Sequence, residues 1–104
     1  MSYRASLMIK YSGRCFYCDA NISFVQATTD HFIPRKRGGP NCEGNRVLAC
    51  SPCNNAKGSI NPVELGIWHP HDHSEPGQRA LLLLRRTIIR RQLSKLREGR
   101  KIRV

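Results

Sequence analysis

The sequence predicts a small α+β domain organised around a four-cysteine metal site, with a basic amphipathic helix attached at its C-terminal end. Three observations carry this. Four of the five cysteines form two Cys-x2-Cys pairs, Cys15/Cys18 and Cys50/Cys53, with 31 residues between them. Residues 22–33 and 45–50 are rich in β-branched, aromatic and aliphatic side chains and are bounded by turn and helix-start signals. The basic charge is concentrated at one end. At 104 residues the chain is one compact domain with at most one added element. A chain of this size buries only about two-thirds of its unfolded surface, so its core needs reinforcement.

The elements follow in order. Tyr3, Leu7, Met8 and Tyr11 have helical spacing, and Gly13 can end that helix. Cys15-Phe16-Tyr17-Cys18 is a tight turn. Residues 22–33, ISFVQATTDHFI, predict one or two strands. Pro34 to Pro40, with Gly38-Gly39, interrupts regular structure and reads as a loop. Asn45 to Cys50 is a short strand. Ser51 as cap and Pro52 in the first turn then open a helix that carries Cys53, Asn54 and Lys57 and ends at Gly58. Residues 59–73 read as irregular, and Ser74-Glu75-Pro76-Gly77 opens a last helix.

The formal net charge is +11. Residues 1–78 contribute +2 of it and residues 79–104 contribute +9. The boundaries this suggests are a domain over 1–73, a basic amphipathic helix over 74–98 and a basic tail over 99–104. Such a charge excludes an ordinary neutral domain and points to a polyanionic partner. The longest leucine run, Leu81–Leu84, is far too short for a membrane span, and MSYRASLMIK lacks the apolar stretch of a signal peptide. An intracellular protein, in which disulfides are rare, is the resulting expectation.

Each Cys-x2-Cys pair lets two thiolates face one ion, and two pairs complete the tetrahedral set that zinc prefers. A structural zinc ion on Cys15, Cys18, Cys50 and Cys53 is therefore expected. A redox pair would need only one such motif. Cys42 fits neither pair and reads as a free thiol.

Between the pairs lies Thr29-Asp30-His31-Phe32-Ile33-Pro34, followed by Gly38-Gly39 and Asn45; the second pair continues as Cys53-Asn54-Asn55-Ala56-Lys57-Gly58. Phosphodiester hydrolysis needs a base to activate water and a cation to stabilise charge on the leaving oxygen. Histidine, whose free imidazole titrates near about 6.5, is the natural base near neutral pH. Neighbours on a strand point to opposite faces, so Asp30 and His31 can have separate tasks. Asp30 and Asn54 offer hard oxygens suited to a divalent ion that keeps several waters. Asn45 can hold the backbone or ring near His31.

The ordered pattern C-x2-C, D-H-x2-P, G-G, N-x4-C-x2-C-N-x2-K-G resembles the HNH endonucleases of the ββα-metal type, in their variant with a four-cysteine zinc site. The likeness covers residues 15–58. It implies a metal-dependent nuclease with His31 as general base, Asp30 and Asn54 as ligands of a catalytic Mg2+, Mn2+, Ni2+ or Zn2+ ion, and Asn45 orienting the base. The last position of the family's name is here Asn54, a departure from histidine that the family tolerates. Lys57 matches a recurring position suited to phosphate contact or structural support. Short chains of this kind resemble nucleases of the bacterial cytoplasm encoded by phages and mobile elements.

Arg35, Lys36 and Arg37 follow the His31 strand and are expected at the phosphate backbone of double-stranded DNA. In the last helix, Leu82, Ile89, Leu93 and Leu96 share a stripe that Leu81, Leu84 and Ile88 widen. This stripe should pack on the core or on a second copy, forming a homodimer. Arg85, Arg86, Arg90 and Arg91 flank it and should meet DNA. A membrane surface would also suit a basic amphipathic helix, but the nuclease pattern explains the charge without it. Trp68 to His73 holds three histidines and Asp72. It reads as a surface loop with Trp68 packed on the core, metal binding being the sharper alternative. The rival reading of the whole chain is a non-catalytic, zinc-stabilised DNA-binding module within a larger nuclease or packaging complex; Asp30, His31 and Asn54 together argue against it.

Overall fold

The computed structural model describes residues 2–102, with side chains to Arg97. Helix α1 (Tyr3–Lys10) is capped by Ser2, whose hydroxyl accepts from the Ala5 N–H. It buries Leu7 completely against the sheet. Strands β1 (Ala27–His31) and β2 (Arg46–Cys50) pair antiparallel, with Asp30 opposite Val47 and His31 opposite Arg46. Helix α2 (Ser51–Lys57) leaves β2 without a linker, and α3 (Glu75–Ile102) packs against α2. The fold is thus a small α+β unit of ββα type with an added helix at each end.

One local expectation narrows and two shift. Only one strand forms within residues 22–33, because the N–H groups of Gln26 and Ala27 turn back to the Ser23 carbonyl. Cys50, not Ser51, takes the cap position of α2: β2 stays extended through Cys50, which leaves Ser51 and Pro52 in the first turn. Arg35–Arg37 and Pro62–Leu65 wind into single 3-10 turns within segments expected to be irregular. Arg103 and Val104, the end of the expected basic tail, lie outside the described residues.

The core joins all the elements: Leu7 from α1, Phe16 and Tyr17 from the first cysteine turn, Phe32, Val47 and Leu48 from the hairpin, and Leu81, Leu84 and Ile88 from α3. Phe16 meets Phe32 and Tyr17 edge-to-face at 5.9 and 5.2 Å between ring centroids, a favoured aromatic geometry.

α3 is rotated relative to the expected stripe. Leu81, Leu84 and Ile88 are buried, whereas Leu82, Ile89, Leu93 and Leu96 remain about half exposed. The docked face turns polar towards its end. There an Arg91 guanidinium N–H donates to the Ala56 carbonyl at 2.9 Å, at the end of α2, and the Gln92 amide donates to Cys53 Sγ at 3.3 Å. Apolar periodicity alone misses this face because its second half binds carbonyls and sulfur. Trp68 also departs from expectation, being 71% exposed.

The long β1–β2 connection is held by Asn45. Its Oδ1 accepts from the Ile33 N–H at 2.9 Å, and its amide donates to the carbonyls of Ile33 and Pro40 at 3.0 Å each. Gly39 passes so close that a Cβ there would lie 1.8 Å from the Ile33 carbonyl oxygen. That atom is backbone and already bound, so it cannot swing aside. Gly39→Ala is expected to cost about 1–3 kcal/mol, in the range of overpacked sites. A thermal melt would show this as a drop of several degrees, and an unchanged midpoint would refute the close-approach argument.

Candidate active site

The two cysteine pairs come together. Their four Sγ atoms lie within 4.8 Å of one another, and Cys18 and Cys50 are 3.8 Å apart. Cys15 and Cys53 are buried. Burial raises the Cys53 and Cys50 thiols. Burial would also raise Cys15, but N–H groups of Cys18, Cys50 and Tyr17 outweigh it and bring that thiol below its usual value. The cluster could hold a tetrahedral metal ion. Among the described residues it is the one convergence of three or more metal donors. The His69–His73 segment forms none: the His71 ring stacks on Tyr11, with its Nε2 2.9 Å from the Tyr11 hydroxyl. Cys42 is an exposed free thiol.

Asp30, His31 and Asn54 line one open cleft of about 430 Å³, rimmed by Arg35 and Lys36. The hairpin register brings in the first two. Asn54 joins them because α2 starts directly at the end of β2 and lies against β1.

The orientation of Asn54 follows from hydrogen-bond chemistry. The Thr28 hydroxyl gives its one proton to the Ala49 carbonyl at 2.7 Å. Thr28 Oγ1 can therefore only accept from Asn54, and it does so from Nδ2 at 3.1 Å. That fixes the amide and leaves Asn54 Oδ1 without a partner among the described residues. Asp30 is also committed on one side. Its Oδ2 accepts from the Tyr17 hydroxyl at 2.5 Å and from Lys57 Nζ at 3.0 Å. Its Oδ1 has no such partner among the described residues and is not sealed from solvent. Burial and the neighbouring Asp30 carboxylate raise the Tyr17 phenol well above its usual value, so it stays a donor.

The His31 tautomer can be read in the same way. An Arg46 guanidinium N–H donates to Asn41 Oδ1 at 2.7 Å. Guanidinium is donor-only, so that Asn41 atom is the oxygen. His31 Nε2, 3.2 Å from the same oxygen, must then carry its proton. Nδ1 remains as a lone pair with no partner among the described residues. Asn45 acts on the connection after His31 and does not touch the ring.

Three of the cations expected on the nucleic-acid side are engaged with protein. Lys57 is fully buried, bridging the Asp30 carboxylate and the His31 carbonyl, the latter at 3.1 Å. Arg85 stacks over the Phe16 ring at 4.8 Å and donates twice to the Phe16 carbonyl. Arg91 binds the end of α2, as described. Arg35, Lys36, Arg37, Arg86 and Arg90 are exposed. Tyr17, Thr28 and Asn41 join the site without having been expected there. A tyrosine held between two cysteines of a buried turn needs a partner for its hydroxyl, a usable hint; Thr28 and Asn41 carry no comparable signal.

The HNH endonuclease family model matches residues 15–59. The crystal structure of the Type II-C Cas9 enzyme from Actinomyces naeslundii is similar in fold, with a TM-score of 0.53 and 23% sequence identity. The alignment covers 86% of this chain and 11% of that one. No curated protein matches. Residues 15–59, the stretch that contains both cysteine pairs and the cleft residues, thus match the HNH endonuclease family.

Proposed function

We propose that this protein is a metal-dependent endonuclease that hydrolyses phosphodiester bonds of double-stranded DNA. One observation carries the reading: His31 Nδ1, Asp30 Oδ1 and Asn54 Oδ1, each without a partner among the described residues, belong to side chains that line one cleft. One free base nitrogen beside two free hard oxygens is the donor set that hydrolysis with a divalent ion requires. Asp30 and Asn54 would hold that ion. When bound, it supplies positive charge to the phosphate and to the leaving 3′-oxygen. His31 Nδ1 takes a proton from water, and the water oxygen attacks phosphorus. The Asn41 carbonyl oxygen keeps the Nε2 proton in place. Asn45 serves the reaction by pinning the connection that leads from His31 past the basic rim, where Arg35, Lys36 and Arg37 meet the phosphate backbone.

The four cysteines fit structural zinc. A tetrahedron with zinc–sulfur bonds of about 2.3 Å has edges of about 3.8 Å, the separation of Cys18 and Cys50. The site lies at the root of the turn and helix that carry Tyr17 and Asn54, so its task is support.

The test is cleavage of supercoiled plasmid by the purified, zinc-loaded chain with Mg2+, Mn2+ or Ni2+ in turn. Metal-dependent nicking or linearisation that chelator abolishes is expected. DNA binding with no turnover under any of these ions would favour the non-catalytic binding module instead. No helix among the described residues is long and apolar enough to cross a membrane.

The arginines of α3 divide by role. The double variant Arg86→Ala/Arg90→Ala is expected to weaken DNA binding and to reduce the salt slope by about 0.9 for each phosphate no longer neutralised. Arg85→Ala should chiefly lower the melting midpoint, because it removes two bonds to the Phe16 carbonyl. Binding isotherms at several salt concentrations, beside thermal melts, check both. Equal effects of the two variants on the salt slope would refute the division.

A further inference from the structure

We propose that Tyr17 is a positioning residue for Asp30, tying the metal-binding geometry of the cleft to the first cysteine pair. The inference rests on the reading of Asp30 as a ligand of the divalent ion and adds what holds that ligand. Tyr17 lies between two cysteines of the cluster, and its side chain is buried in the core. It is 3% exposed, and its hydroxyl donates to Asp30 Oδ2 at 2.5 Å. The backbone on which it rides is anchored on two sides: the Phe16 N–H donates to the Leu48 carbonyl at 2.8 Å, and Arg85 holds the Phe16 carbonyl at 2.7 Å. The phenol therefore has little freedom, and neither has the oxygen it binds.

Lys57 alone does not fix the carboxylate. It approaches the same Oδ2 and is shared with the His31 carbonyl. An ammonium is a point charge with rotatable donors, and it sets no plane for its acceptor. The Tyr17 hydroxyl adds a second direction at Oδ2, and two directions at one oxygen set where the other oxygen points. Asp30 Oδ1 is left for the cleft. Groups that hold a metal ligand from behind commonly change metal affinity by about 10–100-fold when removed. The second cysteine pair reaches the cleft by a shorter route, since Asn54 directly follows Cys53. Both proposed ligands of the divalent ion thus depend on the cysteine cluster, one through a side chain and one through the backbone.

The experiment measures Mn2+ binding to the zinc-loaded full chain by paramagnetic resonance, without DNA. Wild type, Asp30→Asn and Tyr17→Phe are compared. Cobalt substituted at the cysteines reports that site through its thiolate absorption bands. Mn2+ binding should be lost in Asp30→Asn and weakened about 10–100-fold in Tyr17→Phe. The cobalt bands and DNA affinity of Tyr17→Phe should match wild type. A purely structural role for Tyr17 would disturb the bands along with Mn2+ binding. Wild-type Mn2+ affinity in Tyr17→Phe overturns this inference and leaves the nuclease reading standing. Absence of Mn2+ binding in wild type, or full binding in Asp30→Asn, overturns the assignment of Asp30 and this inference with it. If Tyr17→Phe fails to take up cobalt, Tyr17→Phe/Asp30→Asn decides. Recovery of uptake in the double variant supports coupling through the carboxylate; an equal or larger defect overturns it.

Discussion

His31→Ala is expected to lower the cleavage rate by about 10²–10⁴-fold, the usual contribution of a positioned general base, with little change in fold or DNA affinity. The ring is partly exposed and lies outside the core, so its removal leaves no cavity. Its backbone bonds remain, among them the one from Lys57 to its carbonyl. Loss of rate with retained binding would therefore locate the defect in the chemical step. The measurement is single-turnover cleavage at saturating protein, alongside a binding isotherm and a thermal melt. A rate within a few-fold of wild type would remove His31 from the mechanism. Asn41→Ala should produce a smaller loss of the same kind, since the oxygen that fixes the tautomer goes while the ring stays.

Cys53→Ser, or extraction of zinc from the wild-type chain, is expected to unfold the protein at ordinary temperature. Structural zinc contributes on the order of 10 kcal/mol or more to small domains. The whole stability of a domain this size is about 5–15 kcal/mol, so the ion's share is comparable with the total. The geometry shows why little would be left. The cluster joins the turn at residues 15–18 to the β2–α2 junction, and Gln92 of α3 binds the Cys53 sulfur. Losing the site frees the first turn, the start of α2 and the docked end of α3 together. Circular dichroism melts before and after chelation, with zinc content measured, test this directly. A metal-free chain that melts cooperatively near the holo midpoint would refute it. Cys42→Ser serves as the control and should melt like wild type, because that thiol is exposed and stands apart from the cluster.

Legibility from sequence followed the range of each interaction. The cap and stop of α2 were readable to within a residue, because the groups that satisfy a helix end sit within four positions of it. The pattern from Cys15 to Gly58 was readable because a metal site and a cleft need particular residue types in a particular order. The tasks of the long cations were not readable. Lys57, Arg85 and Arg91 look from sequence like Arg86 and Arg90, yet the first three donate to carbonyls and a carboxylate of the protein. A flexible side chain with several donors will serve either phosphate or backbone, and only the position of its base decides which. The rotation of α3 was hidden for a related reason. Its docked face is apolar at Leu81, Leu84 and Ile88, then continues through Arg91 and Gln92, so the face with the most leucines is not the buried one.

By itself the sequence determined the two cysteine pairs, the strand–strand–helix order between and after them, the separation of basic charge into the last quarter, and the identity of Asp30, His31 and Asn54. These are properties of residue type and spacing, which the chain carries whether folded or not. The tertiary structure alone decided which atoms of those residues are free. Thr28 turns Asn54, Tyr17 and Lys57 occupy one oxygen of Asp30, and Arg46 through Asn41 sets the proton on His31. Each partner comes from a different part of the chain. A donor-only group binding one atom of an amphoteric side chain fixes what its other atom can do. That constraint arises only when the partners meet in three dimensions, and here it leaves three ordinary polar side chains with one nitrogen and two oxygens that have no partner among the described residues, beside a single cleft.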